Sequence, residues 1–228
     1  MITNDYRNTE YCPMLENVGD KKKALEEKIR SAHPRQKIMY NKVHNRNTTF
    51  NKEFCSIYNC KCAYCGVSMD ILPAALFEVD HFVAESLFDD KEEAGKVENL
   101  VLSCYQCNRN KKEFEITGEY IEKLNTDDGK IANIFFRDEK YYIRIKEDYI
   151  EDETINGFYN QLQLVHQTRR LDYLLINMQG LHKKLEGTVQ GGRLAEAMQI
   201  PAHLTTHSAK NWSVFPDVTE RISASADQ

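Results

Sequence analysis

Two Cys-x2-Cys pairs, Cys62-Ala-Tyr-Cys65 and Cys104-Tyr-Gln-Cys107, bracket the part of the chain best equipped for chemistry. Zinc favours four thiolates in a tetrahedron, and each Cys-x2-Cys turn supplies two of them from one tight loop. The stretch between the pairs, residues 66–103, must then fold back on itself. Four unrelated buried thiols would have no reason to repeat the spacing, so the expected occupant is a structural zinc ion. Cys60 lies beside the first pair as a spare, and Cys12 and Cys55 are expected to be ordinary thiols.

Between the pairs runs Phe77-Glu78-Val79-Asp80-His81-Phe82. Strand alternation puts Phe77, Val79 and His81 on one face and Glu78, Asp80 and Phe82 on the other. Glu98-Asn99-Leu100 follows, and then Cys107-Asn108-Arg109-Asn110-Lys111 opens a helix. The whole reads C-x-x-C-G, D-H, N-L, C-x-x-C-N-x-x-K. In that combination, from Cys62 to Lys111, the chain resembles the HNH endonuclease superfamily in its zinc-bearing ββα-metal (treble-clef) form.

The resemblance implies roles residue by residue. His81 would be the general base, and Asp80 and Asn108 would hold a catalytic Mg²⁺ or Mn²⁺. Asn99 would fix the loop that orients His81, Arg109, Lys111 and Lys112 would contact nucleic acid, and packing at the helix start is the alternative for Lys111. Asn108 stands where many members have His, which suits Mg²⁺ better than a softer metal. The chemistry is consistent with this: phosphodiester hydrolysis needs a deprotonated water, neutralised phosphate charge and help for the leaving oxygen. An ordinary histidine titrates near ~6.5 and can take that proton at neutral pH. The zinc, closed by four thiolates, would replace the core that so small a ββα unit cannot supply.

The elements that position these residues follow from periodicity. A helix is expected over residues 21–32, capped by Asp20 and stopped by Pro34, with Ala24, Leu25, Ile29 and Ala32 at helical spacing. Thr48 or Thr49 should cap a second helix that carries Phe50, Phe54, Ile57 and Tyr58 on one face. A strand at Phe77–Phe82, a loop through Gly95, a strand near Leu100–Leu102 and a helix from about Cys104 form the ββα core. Beyond it, residues 119–124 suggest a short helix, and Ile131–Arg137 and Tyr141–Lys146 read as a hairpin about the polar turn 138–140. Helical patterns cover 152–165, 167–186 and 192–198. The expected class is α+β, with an N-terminal helical segment (1–60), the zinc-stapled core (61–115) and a C-terminal hairpin and helical region (116–228) suited to partner contact.

Composition bounds the rest. The 228 residues are 41% hydrophobic and 10% aromatic, enough for a buried core. No apolar run is long enough to span a bilayer and the N-terminus has no signal-peptide character, so a cytoplasmic protein is expected. The net charge of −5 speaks against tight unaided DNA binding, as does the acidic run between His81 and Asn99. Cations nevertheless gather at Lys21, Lys22, Lys23, Lys28, Arg30, Arg35, Lys37, Lys42 and Arg46, just ahead of the cysteine motif. His203 and His207, spaced i,i+4, lack an accompanying acid or base. His33, His44, His166 and His182 are expected at the surface or in packing, and the aromatic pairs Phe135–Phe136 and Tyr141–Tyr142 in the hairpin core. Trp212 with Phe215 and Pro216 is expected to pin the C-terminal segment.

The function expected is metal-dependent hydrolysis of nucleic acid, DNA before RNA. Two alternatives stand beside it: an RNA-cutting effector, and a zinc-ribbon module that binds nucleic acid without cutting. The general layout is similar to HNH effector subunits of bacterial anti-phage systems, such as the Septu-type nuclease that pairs with an ATPase. That likeness implies a protein partner.

Overall fold

The computed structural model describes residues 5–11 and 15–198. The stretch with Cys12, and the one with His203, His207 and Trp212, lie outside the described residues. The chain divides into two compact units, residues 1–181 and 182–228.

In the first unit, α1 (Val18–Ala32) buries Val18, Lys22, Leu25 and Ile29, a stripe at helical spacing. Asp20 is not its cap. The helix is entered through Asn17 in the left-handed conformation, and Asp20 lies in the first turn, where its charge suits the helix dipole. At the other end the His33 amide bonds Ile29 and Pro34 prevents continuation. The single turn α2 (Tyr40–Val43) leads to α3 (Thr49–Ile57), and Thr48 caps α3 by accepting from the Asn51 amide. Lys22 is buried in spite of its charge, because its ammonium donates to Asp127 at 2.5 Å and to the Glu98 carbonyl at 2.9 Å.

Next comes the first cysteine turn. Gly66 closes it at φ 77°, and an added Cβ would come within 2.8 Å of the Arg7 backbone, so only glycine fits. Strand β1 (Phe77–His81) pairs antiparallel with β2 (Leu100–Cys104), setting Phe77 opposite Cys104 and His81 opposite Leu100. The intervening segment contains the short helix α4 (Lys91–Ala94). Cys104 ends β2 and serves as N-cap of α5 (Tyr105–Lys111), which carries Cys107 and packs across both strands.

After α5 come α6 (Tyr120–Lys123) and the hairpin strands β3 (Phe135–Arg137) and β4 (Ile143–Ile145). The hairpin is shorter than the apolar run suggests. Gly129, left-handed at φ 77°, starts a 3-10 turn over Lys130–Asn133, so the first half of that run never becomes strand. Helix α7 (Glu153–Gln161), capped by Asp152, packs on α5. Its Phe158 meets Tyr64, Phe114 and Phe135, with ring centroids 6.1, 5.7 and 6.3 Å away. Phe135 is therefore core, tied through Phe158 to the tyrosine of the first cysteine turn. Helix α8 (Gln167–Lys184) starts in the first unit, and α9 (Val189–Met198) belongs to the second. Helices around two small antiparallel sheets make this an α+β fold. No described helix is long and apolar enough to cross a membrane.

Candidate metal centre and active site

Cys62, Cys65, Cys104 and Cys107 converge with all four sulfurs buried and within 4.8 Å of one another. A zinc ion with Zn–S bonds of about 2.3 Å sets tetrahedral S···S edges of about 3.8 Å. The Cys65 and Cys104 sulfurs stand 3.9 Å apart. The chemistry of the donor set agrees. Burial pushes the Cys107 thiol far up, and zinc is an ion that binds cysteine as the thiolate and displaces such a proton. These residues fit a structural zinc. Cys55 and Cys60 stay outside the cluster as free thiols, pushed up to about 12 and about 11 by burial.

The two turns are held by their surroundings. Ala63 donates its amide to the Leu102 carbonyl at 2.7 Å, joining the first turn to β2. The buried Arg7 donates to the Ala63 and Thr126 carbonyls at 2.7 and 2.8 Å and pairs with Asp5. Tyr6 donates its hydroxyl to the Tyr64 carbonyl. The N-terminal residues are thus stitched to the cysteine turn.

Asp80 and His81 close β1 beside this centre. Asp80 is 9% exposed, and its Oδ2 accepts from the Tyr64 hydroxyl at 2.8 Å and faces the Lys111 ammonium at 3.3 Å. Burial pushes the Asp80 carboxyl up, and Lys111 and Tyr64 offset part of that rise. Of the two readings of Lys111, phosphate contact or packing, the structure favours packing: it is only 1% exposed and donates to the His81 carbonyl at 2.8 Å, a buried strut under the strand end. Its neighbour Lys112 is exposed, as is Arg109, whose guanidinium lies 3.9 Å from Glu78 and over the Tyr105 ring.

His81 is half-buried, its ring stacked on Tyr40 with centroids 4.7 Å apart. Tyr40 stacks in turn on His44 at 4.9 Å. Burial lowers the His81 pKa below the ordinary 6.5, and the nearby carboxylates of Glu85 and Asp80 resist only part of that shift. The neutral imidazole, the form that accepts a proton, is favoured.

Asn99 holds the loop beyond His81. Its Oδ1 accepts from the Val83 amide at 2.9 Å, and its Nδ2 donates to the Val83 and Ala94 carbonyls at 3.0 and 2.9 Å. Its backbone carbonyl accepts from the Phe82 amide at 2.7 Å. Asn108, on α5, donates through Nδ2 to Glu78 Oε2 at 2.6 Å, which fixes the orientation of its amide. Asp80 and Asn108 therefore come from packed elements, β1 and α5, and offer hard oxygen donors of the kind Mg²⁺ or Mn²⁺ takes.

The family model of the HNH endonucleases matches residues 62–114. Those residues are an HNH endonuclease domain. Its match begins at the first zinc-knuckle cysteine and runs three residues past Lys111, enclosing Asp80, His81, Asn99 and Asn108. No curated protein and no solved structure matches the chain. The likeness to Septu-type nucleases finds no support among these comparisons.

Several residues around the HNH domain were not legible as functional in the sequence. Tyr40 sits in a basic stretch with nothing local to announce a stack on His81. Glu78 was visible as a strand residue, but its bond to Asn108 depends on how α5 crosses β1. Tyr64 was hidden as a spacer inside the first Cys-x2-Cys. Arg169 lies far beyond the domain, and its guanidinium reaches the cysteine sulfurs.

Proposed function

We propose that the chain is a divalent-metal-dependent HNH endonuclease that hydrolyses nucleic acid phosphodiesters, with His81 as general base and DNA as the leading substrate. The observation that carries this reading is the placement of His81. Its ring is half-exposed at the end of β1, adjacent in sequence to Asp80, and braced by Tyr40 and the Asn99-bonded loop, with burial lowering its pKa.

The division of labour follows from these positions. His81 takes the proton of the attacking water. Asp80 and Asn108 would hold Mg²⁺ or Mn²⁺, which when bound neutralises phosphate charge and assists the leaving oxygen. Lys111, with Tyr64, offsets part of the burial penalty on the Asp80 carboxylate. Asn99 and Tyr40 restrict the ring of His81 to one attitude, so little ordering is left for the reacting state.

Substrate approach is supported by the cations ahead of the domain. Lys28, Arg30 and Lys37 are consumed in pairs with Glu53, Glu26 and Glu92. Lys21, Lys23, Arg35, Lys42 and Arg46 make no ion pair among the described residues. Lys42 follows Tyr40 by two positions and lines a cavity of about 500 Å³ with Lys28, His33, Asn41, Asn45 and Phe50. DNA stands first on the resemblance carried by Asp80, His81 and Asn108 within the four-cysteine frame.

Supercoiled plasmid and structured RNA, offered together to the purified chain with Mg²⁺ or Mn²⁺, test the reading. Plasmid nicking that EDTA and His81→Ala each abolish is the expected result. Loss of RNA instead, with the same two controls, would move the substrate to RNA. No cleavage of either by protein of verified fold would leave the zinc-bearing module as a binder.

A further inference from the structure

Arg169, near the start of α8, is 2% exposed. Its Nη1 lies 3.5 Å from the Cys65 sulfur and 3.7 Å from that of Cys104, and its Nη2 lies 3.3 Å from that of Cys107. One further contact goes to the Leu162 carbonyl at 3.5 Å, and Nε has no acceptor. Asp172, one turn further along α8, feels the charge of Arg169 and of Arg137, but no carboxylate forms a contact ion pair with Arg169 among the described residues. A buried guanidinium without a contact anion is costly, and three of the four atoms within hydrogen-bond reach of this one are sulfurs. Neutral thiols would not serve. Four thiolates around a dication carry a net charge of −2, and that charge is buried too.

We propose that Arg169 is the counter-cation of the zinc centre, a positioning residue that halves its net charge and donates N–H···S bonds to three of its four sulfurs. The inference rests on the zinc reading of the cysteine cluster. Release of the ion begins when one thiolate is protonated or leaves, and a guanidinium that stabilises thiolate charge opposes both steps. Arginine is suited to this because its planar fork reaches several sulfurs at once, whereas lysine offers a point charge. The geometry is itself supported: Arg137 stacks over Tyr173 at 3.9 Å and donates to the Tyr6 carbonyl at 2.8 Å and the Arg169 carbonyl at 3.4 Å. Retention of the metal in the HNH domain therefore depends on a helix more than fifty residues downstream of it.

The test uses the full chain as purified, with zinc content measured first and release then followed with a chromogenic chelator. Wild type should hold one zinc per chain. Arg169→Met, similar in bulk but uncharged, should release it at least about tenfold faster, with Arg169→Lys between the two. Cobalt-substituted wild type and Arg169→Lys supply a second readout where the methionine variant does not fold. Loss of N–H···S bonds should move the thiolate-to-cobalt charge-transfer band to lower energy. Zinc-loaded variants that release at the wild-type rate, with an unmoved cobalt band, would overturn the role of Arg169 alone. A folded wild-type chain that binds neither zinc nor cobalt would overturn the zinc reading beneath it.

Discussion

Replacing Asn99 with alanine removes three side-chain hydrogen bonds at once, those to the Val83 amide, the Val83 carbonyl and the Ala94 carbonyl. Each such bond contributes roughly 1 kcal/mol net, and leaving buried partners unsatisfied adds to the loss. Val83 and Ala94 are both buried. Asn99→Ala should therefore destabilise the fold by about 2–4 kcal/mol, read from urea unfolding followed by circular dichroism. Asn99→Asp separates the parts: it keeps the acceptor for the Val83 amide but turns a carboxylate towards two carbonyls, so it should lose at least as much as the two donated bonds. The backbone bond from Phe82 to Asn99 survives both changes, so β1 and β2 should still pair. Cleavage should fall by about a hundredfold, because a displacement of the His81 loop by an ångström is enough for that. A loss below about 0.5 kcal/mol with cleavage intact would refute the assignment of Asn99 as the brace of this loop.

Other outcomes follow from the same site. Because burial lowers the His81 pKa, the imidazole stays neutral and active to lower pH, and it is lost as a base only when pH falls through that lowered value. The acid limb of kcat/KM should have its midpoint below 6.5; a midpoint at or above 6.5 would contradict the burial argument. Lys111→Met strands the buried Asp80 carboxylate and should cost about 3–5 kcal/mol, part of which the added change Asp80→Asn restores. If the double variant is no more stable than the single one, Lys111 is not the partner of Asp80. Lys42→Ala and Arg46→Ala should each weaken DNA binding across all sequences and reduce its salt slope by about 1. An unchanged slope would place the DNA elsewhere.

Local signals in the chain predicted local structure well. The Cys-x2-Cys spacing, the alternation of residues 77–82 and the Thr48 cap each act within one turn or strand, and the cluster, β1 and α3 follow from them. What escaped depends on crossings that no short window contains. Lys111 and Lys112 are adjacent and chemically alike, yet one is buried under His81 and the other is exposed where the chain leaves α5. Arg169 and Arg170 are likewise neighbours. The helical phase of α8 sends the first to the sulfurs and the second to the Lys140 carbonyl. The apolar run that promised a longer β3 was overruled by the left-handed Gly129, and Asn17 started α1 three residues ahead of Asp20.

Whether His81 is the base of an HNH nuclease is tested most directly by the single-turnover rate of DNA cleavage with Mg²⁺ or Mn²⁺, compared between wild type and His81→Ala of equal zinc content. A positioned general base contributes about 10²–10⁴-fold, so the variant should be slower by at least a hundredfold. Cleavage by the variant within threefold of wild type would contradict the assignment.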